Sequence, residues 1–300
     1  MVGAALLHRL ERENYEVLAA MSSELDLRDQ ANARDWVSRH KSDVVFIAAS
    51  NVGDIFANDT YPTDFLYYNL IIEANVIESS FRVGVGKLLF MDPSCIYPKL
   101  APQPITEDAL LTSPLEVTNE WYAIAKTSGV NMCQAYRHQC GMDFISAMPT
   151  NRYGQGDNFD LNSSQVIPAL MRKVHDAKVA NGPDVVMRGT SAPRREFLHC
   201  DDCADTLVHL MKVYSDENHI NVRSGKDMTI RELADWLAQI IGFDDAIVQD
   251  LSKPDGTPRK LTFVDHLLGL CCLPRIDFER LGSSYRRHLD NAAAAAAVAV

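Results

Sequence analysis

Short apolar runs alternate with longer amphipathic ones along the first half of this chain, and that alternation restricts the fold more than any other feature. Tyr15-Glu-Val-Leu-Ala19, Asp43-Val-Val-Phe-Ile-Ala-Ala49, Lys87-Leu-Leu-Phe-Met91 and Asp143-Phe-Ile-Ser-Ala-Met148 read as strands. The second is almost continuously apolar, the pattern of a buried strand. Helical spacing fills the intervals at Ala4–Glu13, Asp29–His40, Thr63–Phe81 and Asn119–Arg137. This order predicts an α/β fold with a doubly wound parallel sheet, whose ligands bind at the carboxyl ends of the strands.

Past residue 150 the composition shifts toward Gly, Asn, Asp and Pro, with further helical patterns at Gln165–Ala180, Asp201–Tyr214 and Thr229–Ile241. We expect a nucleotide-binding domain over 1–150 and a smaller substrate lobe over 151–290, some of whose segments return to the sheet. The alanine-rich residues 291–300 read as a low-complexity tail. A net charge of −11 argues against a general nucleic-acid-binding role. No apolar run reaches the roughly 20 residues that cross a bilayer, and Met1-Val-Gly-Ala-Ala-Leu-Leu has no basic segment before it as a signal peptide does. Seven irregularly spaced cysteines predict free thiols in a reducing cytoplasm. Cys200-Asp-Asp-Cys203 lacks a second ligand pair, so no metal site is expected.

Tyr122-Ala-Ile-Ala-Lys126 carries the clearest chemistry. One helical turn puts the phenol and the ammonium on one face. A cation held beside a tyrosine favours the phenolate and brings its pKa down toward neutrality. Such a pair suits reversible proton transfer to a carbonyl oxygen while hydride moves to its carbon. The spacing alone equally fits a surface Tyr beside a snorkelling Lys, and only its context favours the catalytic reading.

A dinucleotide-binding sheet opens with a strand and a glycine-rich turn that brings backbone N–H groups to a pyrophosphate. This chain opens with Met1-Val-Gly3 and passes directly into helical spacing. Gly3 reads as the last glycine of that turn, the one that allows close helix–strand packing. The expected sheet therefore lacks its first strand and most of the glycine-rich loop, and the chain reads as N-terminally truncated relative to the complete fold.

Several longer stretches point to one family: Asn58-Asp-Thr-Tyr-Pro-Thr-Asp-Phe65, Ser94-Cys-Ile-Tyr-Pro-Lys99, Asn119-Glu-Trp-Tyr-Ala-Ile-Ala-Lys126, Met148-Pro-Thr-Asn151, Val166-Ile-Pro-Ala-Leu170, Arg195-Glu-Phe-Leu-His199 and Lys253-Pro-Asp-Gly-Thr-Pro-Arg-Lys260. With them the chain resembles the GDP-L-fucose synthases, the GDP-4-keto-6-deoxy-mannose epimerase/reductases of the extended short-chain dehydrogenase/reductase superfamily, from Met1 to about Lys260. The resemblance implies a Rossmann-like domain, NADP(H) as cofactor, a GDP-sugar substrate and a homodimer formed through the long helices. By the same resemblance Tyr122 is the proton donor in reduction, Lys126 tunes it and holds the nicotinamide ribose, and Cys95 is the acid or base of the epimerisations. Gly3, Ser94, Pro149, Thr150, Asn151, Arg152 and Gln165 fall at cofactor positions. Lys173, Arg188, Arg195 and Asp255 fall at substrate positions, with Lys260 as a further charge.

The chain departs from the family's pattern at several of these places. Pro93 stands where a serine hydrogen-bonds the substrate carbonyl, and proline has neither a hydroxyl nor an N–H. Asp92 replaces a small glycine and brings a carboxylate near the phosphates. Gln165 stands where a histidine acts as the acid opposite the cysteine, and an amide cannot deliver a proton near neutral pH. Lys173 replaces an arginine and Arg188 a tryptophan. Ser22 replaces an arginine that favours NADP over NAD, which leaves that preference open. Three readings follow: a working epimerase/reductase; a relative that keeps the fold and the sugar-nucleotide site but is impaired in catalysis, or that pairs with an active homologue; and another NAD(P)-dependent sugar-nucleotide epimerase or dehydratase.

Overall fold

The computed structural model describes residues 1–270 except 162, 183 and 254, together with 274–276. The alanine-rich segment and Cys271–Leu273 lie outside the described residues.

The first strands and helices follow the apolar runs. Helix α1 (Val2–Leu10) precedes α2 (Gln30–His40), whose N-terminus is capped by the Asp29 carboxylate accepting from the N–H groups of Ala31 and Asn32. Strand β1 (Val44–Ile47) leads to the short helix α3 (Ile55–Thr60) and the long α4 (Pro62–Val83), which starts on a proline and stops at Gly84, a left-handed residue at φ 76°. Then come β2 (Lys87–Met91), α5 (Glu120–Cys140) and β3 (Asp143–Pro149). These three strands pair in parallel, and β7 (Ile220–Val222) joins β3 from the second half of the chain, giving the order β1-β2-β3-β7.

Between β3 and β7 lie β4 (Asn151–Tyr153), α6 (Val166–Val179), β5 (Asp184–Arg188), β6 (Arg194–His199) and α7 (Cys200–Val213). After β7 come β8 (Asp227–Thr229), α8 (Ile230–Ile241), β9 (Ala246–Asp250), β10 (Arg259–Lys260) and α9 (Asp265–Gly269). Strands β10, β6 and β4 form a second parallel sheet with β8 antiparallel on β6, and β5 pairs with β9. Helix α8 begins with a capping box: the Thr229 hydroxyl and Glu232 carboxylate satisfy each other's backbone N–H groups.

Separate apolar cores lie under these layers. Leu89, Ile145, Leu198, Leu207 and Ile220 pack α1 and α7 onto one face of the first sheet, while Ile77, Phe90, Val130 and Phe144 pack α4 and α5 onto the other. Val174, Phe197, Leu233 and Leu237 form the core of the C-terminal lobe.

Two expectations fail here. Tyr15–Ala19 is irregular rather than a strand, with Tyr15 55% and Leu18 40% exposed. A strand needs a hydrogen-bonded neighbour, and none of the described strands pairs with it. Strand β1 is also less buried than its apolar run suggests: Val44 is 42% exposed and only Ile47 is fully covered.

Candidate active site

The sheet delivers its site at the carboxyl ends of β1, β2 and β3. Beyond β1, Ser50 and Asn51 are fixed by Asn69 of α4: its Oδ1 accepts from the Ser50 hydroxyl at 2.8 Å and from the Asn51 N–H at 2.9 Å. The Tyr122 phenol, on α5, lies 3.4 Å from the Ser50 oxygen. Either hydroxyl can be the donor of that longer contact. The Tyr122 ring stands edge-on to Phe65 at 6.2 Å. Burial, the dominant cause, pushes the phenol's pKa upward, with the Cys95 thiol adding to it and Ser50 and Arg152 opposing.

The neighbouring cation has a partner of its own on α4. Lys126 is 2% exposed; its Nζ donates to Glu73 of α4 at 2.8 Å and lies 4.2 Å from the Phe90 ring centroid. The ammonium is thus committed to a buried ion pair, and Tyr122 rests as a protonated acid. Gly129 permits the arrangement. A Cβ there would fall 2.4 Å from Phe90 and 2.7 Å from the second Glu73 oxygen, which has no hydrogen-bond partner.

Past β2 the chain turns through Asp92 and Pro93 into a 3-10 turn, Ser94–Ile96. Asp92 is completely buried, and neither carboxylate oxygen has a hydrogen-bond partner. Burial holds its pKa well above the usual carboxylate range, with Lys126 and Arg152 opposing and Glu73 reinforcing. Burial therefore favours the protonated acid at Asp92, amid the catalytic candidates. Cys95, 8% exposed, has its thiol pushed up to about 11 by burial, with the Lys260 charge as the leading opposing influence.

Beyond β3, Thr150 and Asn151 both donate to the Glu196 carbonyl, at 3.3 and 3.2 Å, and the Thr150 N–H donates to Val222. Arg152 follows on β4, donating weakly from Nη1 to the Pro149 carbonyl, while its Nε is buried without a partner. Its charge reaches Asp92, Cys95 and Tyr122. Ser94 is buried beside Cys95. Gly3 lies on the first turn of α1, where an added Cβ would sit 3.9 Å from that of Ala48. That is an ordinary contact, so packing does not demand a glycine there.

The C-terminal lobe supplies the remaining candidates. Gln165 precedes α6 and its amide donates to the Gly53 carbonyl at 2.9 Å, tying the lobe to the loop after β1. Arg195 and Lys260 are register partners on β6 and β10. Burial lowers Arg195 to about 10 and Lys260 to about 8; the Arg195 charge adds to the lowering of Lys260, while Asp255 and Glu116 oppose the lowering of Arg195. Two desolvated cations side by side call for an anion such as a diphosphate. Asp255 accepts from the Thr190 N–H and hydroxyl at 2.9 and 2.6 Å. Arg188 and Lys173 stand nearer the rim, with burial first and Arg188 second in lowering Lys173.

Of the residues around this candidate site, sequence reasoning singled out Tyr122, Lys126, Cys95, Arg195 and Lys260 but not Ser50, Asn69 and Glu73. The last two are polar residues at buried positions of an amphipathic helix, which is the one signal that marks them.

Comparison with known proteins gives these residues a setting. Residues 1–222 match the NAD dependent epimerase/dehydratase family. A protein called GDP-L-fucose synthase from Sinorhizobium fredii is 52% identical over 294 residues, 98% of this chain and 94% of the relative. Among solved structures, a GDP-L-fucose synthetase from Naegleria fowleri bound to NADP is similar, with TM-score 0.88, 26% identity and 97% and 91% of the two chains covered. A GDP-6-OMe-4-keto-L-xylo-heptose reductase from C. jejuni is similar at TM-score 0.89, with 29% identity and 97% and 94% covered.

Proposed function

The chain belongs to the NAD dependent epimerase/dehydratase family, and we propose that it is an NADPH-dependent epimerase/reductase that converts GDP-4-keto-6-deoxy-D-mannose to GDP-L-fucose. The observation that carries this reading is the grouping of a protonated Tyr122 and a buried Cys95 thiol beyond the carboxyl ends of the first sheet with the paired cations Arg195 and Lys260 of the second, the Lys260 charge reaching the thiol. They match the three demands of the reaction: an acid for the ketone oxygen, a thiol for the carbons beside it and a diphosphate site.

The polar set beyond the strands fits a nicotinamide nucleotide. Lys126, Thr150, Asn151 and Arg152 surround the site, and the buried unpartnered Arg152 Nε is a donor awaiting an acceptor. When bound, the nicotinamide supplies the hydride. Tyr122 holds the proton for the carbonyl oxygen, with Ser50 and Asn69 fixing the phenol. Cys95 must first lose its proton to act as a base; the ammonium of Lys260 favours the thiolate, while burial resists it. Burial also strengthens every charge interaction once substrate closes the site.

A second reading draws on two specific observations. Gln165 spends its amide N–H on Gly53, and Pro93 offers no donor. These favour a relative that reduces the ketone without completing both inversions, or one impaired throughout. The test is to mix the chain with NADPH and GDP-4-keto-6-deoxy-D-mannose in D2O. We expect NADPH oxidation, GDP-L-fucose and deuterium at the two carbons flanking the ketone. Reduction without deuterium would establish the second reading, and no NADPH oxidation would sink the first.

For the assembly we propose a homodimer through α4 and α5. On their outer side Tyr67, Trp121 and Ile124 are 56%, 45% and 36% exposed, beside half-buried Leu66, Leu70 and Ile71. Such an apolar surface on a helix pair suits a four-helix contact.

A further inference from the structure

Three side chains of metal-ligating type meet where β6 passes into α7. His199 ends the strand, and Cys200 and Asp201 open the helix. Their ligand atoms lie within 4.8 Å of one another. His199 Nδ1 stands 3.7 Å from one Asp201 carboxylate oxygen, and the Cys200 sulfur 3.7 Å from the other. A tetrahedral ion with bonds of about 2.0–2.3 Å holds neighbouring ligand atoms roughly 3.3–3.8 Å apart, and both separations fall in that range. The companions of the Cys200 sulfur are thus its sequence neighbours rather than Cys203, the cysteine to which its C-x-x-C spacing points.

The surroundings orient these ligands. His199 and Cys200 are buried, and the imidazole stands edge-on to Tyr153 of β4 at 5.3 Å. The Gln155 N–H bonds to the Cys200 sulfur, which favours a thiolate, and the start of α7 acts in the same sense. Gly154 packs its backbone against that sulfur, where a Cβ would fall 2.2 Å away. In the resting chain burial, and after it the Asp201 charge, push the thiol up to about 12; a divalent ion displaces its proton to solvent as the sulfur–metal bond forms. Nδ1 now accepts the Asp201 N–H at 3.2 Å. An ion takes that lone pair, and the N–H, in the first turn of a helix, turns to water. Asp201 is exposed and lines a cleft between α1 and α7 with His8, Arg9, Arg12 and Asp205. The cleft gives an ion a way in and water a place beside it, and the Arg9 charge there is already matched by Glu13 and Asp205. One sulfur, one imidazole nitrogen and one carboxylate suit zinc rather than magnesium or calcium.

We propose that His199, Cys200 and Asp201 form a three-ligand site for a zinc-class divalent ion, with water in the fourth position. The ion pins the end of β6 to the first turn of α7. The site is independent of the sugar-nucleotide reading.

The test titrates Zn2+ and Co2+ into the whole chelator-treated chain and into Cys200→Ala, Asp201→Asn and Cys203→Ala. In the parent we expect one ion per chain, one proton released per ion and, with Co2+, a thiolate-to-cobalt charge-transfer band with the strong visible absorption of tetrahedral cobalt. Cys200→Ala loses the band, Asp201→Asn binds Zn2+ about tenfold or more weakly, and Cys203→Ala keeps both properties. Zn2+ also raises the melting temperature of the parent and not that of Cys200→Ala. Asp201→Asn alters an exposed side chain, so it carries the test if Cys200→Ala does not fold. A band that survives in Cys200→Ala or vanishes only in Cys203→Ala overturns the site. Cobalt bound without charge transfer, or no saturable binding by the parent, overturns it equally.

Discussion

Asp92 and Lys126 show how single residues set the resting state of this site. A carboxyl buried without a hydrogen-bond partner opposes folding once it would ionise in the unfolded chain. Its folded pKa is raised, so the native state holds a proton that the unfolded state gives up. Stability is fullest below the ordinary carboxylate pKa and declines as pH rises above it. Asp92→Asn removes that slope; urea unfolding is expected to show a stability gain over the parent at pH 7 on the order of 1–3 kcal/mol, with the gain shrinking toward pH 4. An equal gain at both pH values would show that Asp92 does not hold the proton. Lys126 has the opposite character. Lys126→Met strands Glu73 in the core and is expected to cost about 3–5 kcal/mol, whereas Lys126→Met with Glu73→Leu recovers most of it. Of these residues, the sequence marked Lys126 by its four-residue spacing from Tyr122, but its ion pair is non-local: Glu73 is 53 positions away. Spacing along one helix cannot report which partner a second helix brings.

At the scale of elements, the long helices were legible because amphipathic spacing and caps act locally. Asp29 ahead of α2 and the Thr229–Glu232 box of α8 are visible within four residues. The short strands of the second half were not, since β4, β7 and β8 have three residues each and their pairing is settled by tertiary contacts. Crossings between helices are equally hidden. The close pass of α4, α5 and β2 depends on Gly129, which in an exposed helix is weaker than alanine by about 1 kcal/mol. Here the order reverses. Gly129→Ala drives a methyl into Phe90 and Glu73, and we expect a loss of about 1–3 kcal/mol from overpacking, with a fall in activity because Lys126 lies one turn away. Thermal melts that rise on this substitution would show that the crossing has slack.

Over the whole molecule, acid response and assembly join distant parts. His219, just before β7, meets the Tyr97 hydroxyl at 2.8 Å, and Tyr97 also donates to Asn221 at 2.7 Å. Burial lowers His219 to about 4. Its folded pKa lies below the unfolded value, so the unfolded chain binds the proton first and stability is lost as pH falls from about 6.5 toward 4. Asp157, raised to about 6 by burial, acts in the reverse sense, losing stability as pH rises from the ordinary carboxylate pKa to 6. The two slopes oppose each other between pH 4 and 6, so the parent's profile is flatter there than either group alone would make it. His219→Gln removes one slope: its deficit against the parent is expected to shrink as pH drops from 7 to 4.5, and a constant deficit would mean that the imidazole takes up its proton equally in the folded and unfolded chain. Assembly is tested at the outer faces of α4 and α5. If Tyr67, Trp121 and Ile124 are covered by a second copy, Ile124→Glu places a charge in an apolar contact and leaves the folded subunit intact, because Ile124 is 36% exposed within it. We expect light scattering to give twice the 33.4 kDa chain mass for the parent and the single mass for the variant, with NADPH affinity retained since Ile124 is exposed where Lys126 is buried. A parent that runs as a monomer at micromolar concentration would instead assign this apolar stripe to another partner.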